Sequence, residues 1–262
     1  MSGSLLIERD GGIVRLTLNR PEAGNAIDME LARALFDAAV ELDLDPSVRC
    51  VVLTGAGRML CAGGDIAGMA AAGDKAAAFL AELAGVVHMA VAKLARMSKP
   101  LLVLVNGPAA GAGLSLALLG DITLAARSSH YTAAYTAIGL TPDGGMTWLL
   151  PRLAGLRIAQ EMILTNRRVG AEEAARLGLV TRLVDDEALA EEGAKVAASL
   201  AASATAALGV ARNLLADSFT SGLEAQMECE ARGITAAGAG AESREGIAAF
   251  LGKRKPDFAG NS

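Results

Sequence analysis

Two short segments of small residues, Cys61-Ala-Gly-Gly-Asp-Ile66 and Asn106-Gly-Pro-Ala-Ala-Gly-Ala-Gly113, each follow an apolar run that reads as a buried strand, at 50–54 and 101–105. Glycine and alanine after a strand let main-chain N–H groups approach a ligand closely, since nothing larger than a methyl intervenes. Two such loops can aim two N–H donors at one oxygen. That is the geometry of an oxyanion hole, which stabilises a thioester-derived enolate or a tetrahedral intermediate. Singly, each loop is equally an ordinary tight turn; the chemistry lies in the pair.

The elements that must position these loops are legible in outline. Alternating apolar and polar residues over 13–18 read as a strand ending in an Asn-Arg-Pro-Glu turn, and Asp28 is placed to cap a helix reaching about residue 42. Asp74 is placed to cap a long helix ending near 97, and Pro100 closes that connection before the 101–105 strand. A short buried helix is expected over 111–119, a strand over 122–125, and a loop over 139–145. Helices follow at 153–164 and 171–177, the second ending at the C′ glycine Gly178, then a strand over 179–184. From 186 to about 250 the pattern is almost wholly helical. Alternating strands and helices with a helical tail predict an α/β class with an α/β core over 1–195 and a helical C-terminal region over 196–262.

Composition narrows the function. The chain has 262 residues, 52% of them hydrophobic but only 3% aromatic, so its core is built from Ala, Leu and Val. A net charge of −5 without a basic stripe argues against nucleic acid as a partner. No run reaches the length expected of a membrane span, and residues 1–10 lack a signal-peptide pattern. Three irregularly spaced cysteines (Cys50, Cys61, Cys229) and two histidines (His88, His130) suit neither a disulfide framework nor a metal centre. The expectation is a cytoplasmic protein with no metal and no redox cofactor.

With the loops placed, six segments in order resemble the crotonase, or enoyl-CoA hydratase/isomerase, superfamily. They are LTLNRPEAGNAID (16–28), VVLTGAGRMLCAGGDI (51–66), KPLLVLVNGPAAGAGLSLALLGDITLAA (99–126), IGLTPDGGMTWLLPRLAG (138–155), AARLGLVTRLV (174–184) and REGIAAFLGKRKPDF (244–258). The resemblance implies a spiral of ββα units with a C-terminal helical trimerisation region. It also implies an acyl-CoA thioester as substrate, with coenzyme A part of that substrate rather than a cofactor, and a homotrimer or dimer of trimers.

Carried over by resemblance, the two oxyanion donors are the backbone N–H groups of Gly64 and Ala112, the latter in a position usually held by glycine. The same resemblance places CoA-binding contacts at Asn25, Ala26, Ile27, Ala62, Asp65, Ile66, Tyr135 and Lys253, although Asp65 equally reads as a brace of its own loop. The pattern breaks at the two glutamates of the family's hydratases, which fall here on Ser115 and Tyr135. Neither is a carboxylate base at neutral pH. Asp143 remains, in Leu140-Thr-Pro-Asp-Gly-Gly145, similar to the Pro-Asp-x-Gly-Gly stretch of the family's ring-1,2-epoxyphenylacetyl-CoA isomerases, where an aspartate moves a proton between carbons. The implied reaction is double-bond isomerisation with Asp143 as proton shuttle. Three alternatives stand: hydration of 2-enoyl-CoA, hydrolysis like that of 4-chlorobenzoyl-CoA dehalogenase with His88 as base, and acyl-CoA binding without catalysis. Outside the dehalogenase reading, His88 is expected to be structural or pocket-lining, and Trp148 and Met146 to pack in the core or line the acyl pocket.

Overall fold

The computed structural model describes residues 3–260. Six strands form the main sheet: β1 (Leu5–Asp10), β2 (Ile13–Leu18), β3 (Cys50–Gly55), β4 (Leu101–Val105), β6 (Ile122–Ala126) and β9 (Arg182–Val184), side by side in that order. The β1–β2 hairpin is antiparallel and every other neighbour is parallel. Both faces are covered, as parallel sheets require. On one side Val51, Leu53, Leu101 and Val103 join a core that includes Leu31 and Leu35 of α1 (Met29–Leu44). On the other, Cys50, Val52, Leu102 and Leu104 meet Leu189, Val196 and Ala197 of α8 (Leu189–Ala201). This alternation along β3 and β4 explains why their sequences are apolar throughout.

α1 begins where expected, with the Asp28 carboxylate accepting from the Leu31 amide at 2.8 Å. It packs on α3 (Ala76–Arg96), which starts after a short 3-10 turn holding Asp74, with Lys75 rather than Asp74 at its cap. The segment 73–96 corrects one expectation. By length and hydropathy (mean 1.6) it is apolar enough to cross a membrane. Its alanines raise the mean without producing a run of large residues. Its buried face, including Val86, Ala90 and Leu94, packs in the core shared with α1.

A second small sheet is formed by β5 (Ala109–Ala110), β7 (His130–Thr132) and β8 (Val169–Gly170). α2 (Ile66–Ala71) and α4 (Ala112–Ala117) follow the first and second glycine loops. The single helix expected over 153–164 is two, α5 (Met146–Ala154) and α6 (Leu156–Thr165), divided at Gly155, whose φ of 82° and ψ of 155° are not helical. The strand expected over 179–184 pairs only at 182–184. α7 (Ala171–Arg176) leads into Gly178, whose φ of 82° fits its expected C′ role.

The boundary expected at 195/196 falls inside α8, and Val196 and Ala197 beyond it are part of the sheet's own packing. The helices after it, α9 (Thr205–Asp217), α10 (Leu223–Gly238) and α11 (Ala241–Leu251), form the helical tail. Arg212 pins α9 to the core: its guanidinium donates to Asp121 Oδ1 at 2.7 Å and to the carbonyls of Leu94 and Met97 at 2.7 and 2.6 Å.

Candidate active site

β3 and β4 are parallel neighbours, so their C-terminal ends emerge side by side, where ligands of open α/β sheets gather. The glycine loops leave from those two ends. They are stitched together by a bridge between Cys61 and Ala109, with the Ala110 amide donating to the Cys61 carbonyl at 3.0 Å. Two glycines allow this approach. Gly63 has φ of 113°, and a Cβ there would stand 3.1 Å from the Ala110 carbonyl oxygen and 3.6 Å from the Ala112 nitrogen. A Cβ on Gly113 would lie only 2.2 Å from the Cys61 carbonyl oxygen.

Ala112 is the first residue of α4, where amides have no intrahelical acceptor. The Gly64 amide lies beyond a bridge to Ile27 in which the neighbouring groups take the bonds, Ile27 N–H to Gly63 O and Asp65 N–H to Ile27 O. Among the described residues, neither the Gly64 nor the Ala112 amide has a protein acceptor. Both residues line one cavity of about 430 Å³. Its remaining walls are mostly apolar, with Ile66 and Met69 from α2 and Leu80, Leu83, Ala84 and Val87 from α3. Of the segment 67–74, only Met69 lines the cavity. The wall from α3 was not foreseen, because the apolar stripe that packs on α1 and the one that faces the cavity merge in an alanine-rich sequence.

Asp143 lines the same cavity and is the only carboxylate there among the described residues. The residues in place of the two glutamates hold it. Tyr135 Oη donates to Asp143 Oδ1 at 2.6 Å, and Ser115 Oγ donates to the Asp143 backbone carbonyl at 3.1 Å. Burial, and then the Asp143 charge, push the Tyr135 phenol well above its usual range, so it stays a donor. Ala134, with φ of 66°, turns the chain just before Tyr135. His88 sits on the far side of the carboxylate, with Nε2 3.3 Å from Asp143 Oδ2 and 3.2 Å from the Gly144 amide that donates to it. None of these contacts could be read from the sequence; His88 was legible only as a resemblance. Cys61 lies beneath the first loop, but burial pushes its thiol up to about 12, which excludes a thiolate nucleophile there.

The other expected contacts divide. Ile27, Ala62, Ile66 and Tyr135 line the cavity; Asn25, Ala26, Asp65 and Lys253 do not. Asn25 is fully buried, and its side chain ties the Arg20 amide to the carbonyls of Ala56, Met59 and Leu60. The amides of residues 25, 26 and 27 all donate within the chain, so among their main-chain groups only carbonyl oxygens are left for the contact with CoA that the resemblance implied. Asp65 caps α2 at the Gly68 amide and pairs with Arg20 at 3.4 Å, the bracing role foreseen as its alternative. Lys253 is exposed just beyond α11, at φ 50°. Met146 is core, whereas Trp148 is part-exposed, with the Arg152 guanidinium 4.1 Å over its ring. Among the described residues no cluster of three or more His, Cys, Asp or Glu is placed to hold a metal.

Comparison with known proteins agrees with this geometry. A family model described as enoyl-CoA hydratase/isomerase matches residues 8–261. The 1,2-epoxyphenylacetyl-CoA isomerase of Escherichia coli (strain K12) is 39% identical over 257 residues, covering 98% of each chain. The 2,3-dehydroadipyl-CoA hydratase of the same organism is 34% identical, again over 98% of each. The crystal structure of an enoyl-CoA hydratase from Polaromonas sp. JS666 superposes with a TM-score of 0.93 at 33% identity, covering 97% of this chain and 99% of that one. The crotonase fold, the pair of glycine loops and the match over nearly the whole length agree: the chain belongs to the enoyl-CoA hydratase/isomerase family.

Proposed function

We propose that the protein isomerises acyl-CoA thioesters, moving a double bond from the β,γ to the α,β position. The thioester oxygen sits between the Gly64 and Ala112 amides, which carry the enolate's charge. Asp143 takes a proton from the α carbon and delivers one to the γ carbon. The observation that carries this reading is that, among the described residues, a single carboxylate lines the cavity, held by Tyr135 and Ser115 where a pair of glutamates would supply the second group that hydration needs. One base suffices for a 1,3 proton shift. Hydration needs a group to position water as well.

Asp143→Asn is expected to lower conversion of 3-enoyl-CoA to 2-enoyl-CoA by at least 100-fold while acyl-CoA affinity stays within a few-fold, measured by thioester absorbance and calorimetry. Wild-type conversion in that variant rejects the proposal. Loss of conjugated absorbance from pure 2-enoyl-CoA identifies a hydratase instead. The His88–Asp143 contact at 3.3 Å favours a second reading, hydrolytic dehalogenation, and halide release from 4-chlorobenzoyl-CoA tests it. The acyl-CoA substrate is the partner the site calls for. Exposed Leu223, Met227, Ile234, Ile247, Phe250 and Leu251 on the tail support association of copies into a trimer or dimer of trimers, which light scattering reads directly.

A further inference from the structure

One ring nitrogen, His88 Nε2, faces both a donor and a carboxylate: the Gly144 amide at 3.2 Å and Asp143 Oδ2 at 3.3 Å. It cannot accept the amide's hydrogen and present its own to the carboxylate together. A proton shared between Oδ2 and Nε2 therefore has two resting places. On Oδ2, it leaves Nε2 available to Gly144; on Nε2, it satisfies the carboxylate and the Gly144 bond is given up. The other carboxylate oxygen is already taken, since Tyr135 donates to Oδ1 at 2.6 Å. Oδ2 is thus the oxygen that carries a mobile proton.

The surroundings of the two groups differ. Asp143 lines the cavity that an acyl group fills, and His88 does not. The His88 side chain is 52% exposed, against 30% for Asp143. A bound substrate covers the aspartate and leaves the imidazole in water.

Resting on the isomerase reading, we propose that His88 relays protons between Asp143 and solvent during turnover, so that the proton delivered to the γ carbon comes largely from water. The α carbon gives its proton to Asp143 Oδ2 and its electron pair to the enolate. Oδ2–H then passes the proton to Nε2, leaving a carboxylate and an imidazolium. The imidazolium gives this Nε2 proton to water, takes a solvent proton at the same nitrogen, and returns that proton to Oδ2. That proton goes to the γ carbon as the enolate collapses to the carbonyl with an α,β double bond. One proton leaves and one enters, and nothing is oxidised or reduced.

The test is conversion of 3-hexenoyl-CoA in D2O under initial-rate conditions, with deuterium at the γ carbon of the 2-enoyl product read by mass spectrometry and NMR. Wild type is expected to label most product molecules. His88→Gln, which keeps a hydrogen-bonding side chain but cannot take up and release a proton, should cut label per product molecule several-fold, with His88→Asn as a second variant. Slower turnover by itself gives the intermediate longer to exchange and leaves the label per product unchanged or higher, so a purely structural histidine would not lower it. Unlabelled wild-type product, or equal labelling in wild type and both variants, overturns the relay and leaves the isomerase reading intact. A wild type that does not convert 3-hexenoyl-CoA at all overturns both.

Discussion

Gly113→Ala tests whether the spacing of the two glycine loops matters. A Cβ at residue 113 would stand 2.2 Å from the Cys61 carbonyl oxygen and 2.7 Å from the Cys61 Cβ. Real Cβ contacts do not fall below 3.0 Å, so the loops must part by about 1 Å, and backbone rather than a flexible tip has to move. Cys61 also accepts the Ala110 amide at 3.0 Å, so the separation propagates to the strand that precedes Ala112. A misplacement of about 1 Å between groups that act together costs on the order of 100-fold in rate. Overpacking of this kind costs roughly 1–3 kcal/mol of stability, and each kcal/mol lowers Tm by about 2–4 °C in a chain of this size. The expected result is a 100-fold loss in kcat for 3-enoyl-CoA, with a Tm lower by several degrees. Gly85→Ala on α3 is the matched control: a Cβ there meets nothing within 4 Å, and a helical Gly→Ala change leaves stability unchanged or raises it by about 0.4–1 kcal/mol. Wild-type kcat in folded Gly113→Ala would refute the argument that the two loops act as one oxygen site.

Two further outcomes follow from the scaffold. Asp28→Ala removes the cap at Leu31 and a 3.2 Å pair with Arg20, and should cost about 1 kcal/mol, read as a shift in the urea midpoint without change in m. Glu245 is held down at about 2, by the Arg254 guanidinium first and the Asp257 amide second. Because its folded value lies below the ordinary 4.5, the tether it gives residues 252–260 is present above pH 4.5 and is lost as pH falls towards 2. The protection factor of the Asp257 amide, its exchange rate relative to an unstructured amide at the same pH, should fall over that window in wild type, and Glu245→Gln should flatten the response.

What the residues determine by themselves is local. The apolar runs of β3 and β4, the Asp28 cap, the C′ glycine at 178 and the small residues of the two loops each depend on propensities acting within a few positions, and the structure has them where the sequence places them. Boundaries that rest on tertiary packing are less legible. α8 runs through the expected domain limit because its Val196 and Ala197 are held by the sheet, and a left-handed, non-helical glycine splits α5 from α6. The short β5–β7–β8 sheet pairs two- and three-residue strands, too brief to leave a periodic signal.

The site shows the same division. Ser115, Tyr135 and Asp143 were identified one by one, but their hydrogen bonds to one another were not, because α4, a 3-10 turn and a loop meet only when β5 and β7 pair. His88 lies 56 positions from the amide that donates to it, on a helix that reaches the cavity because α3 packs across α1. Residue types decided which groups could move a proton. The fold decided which oxygen of Asp143 accepts from Tyr135 and which lies beside His88, since those are distances between segments that share no local sequence.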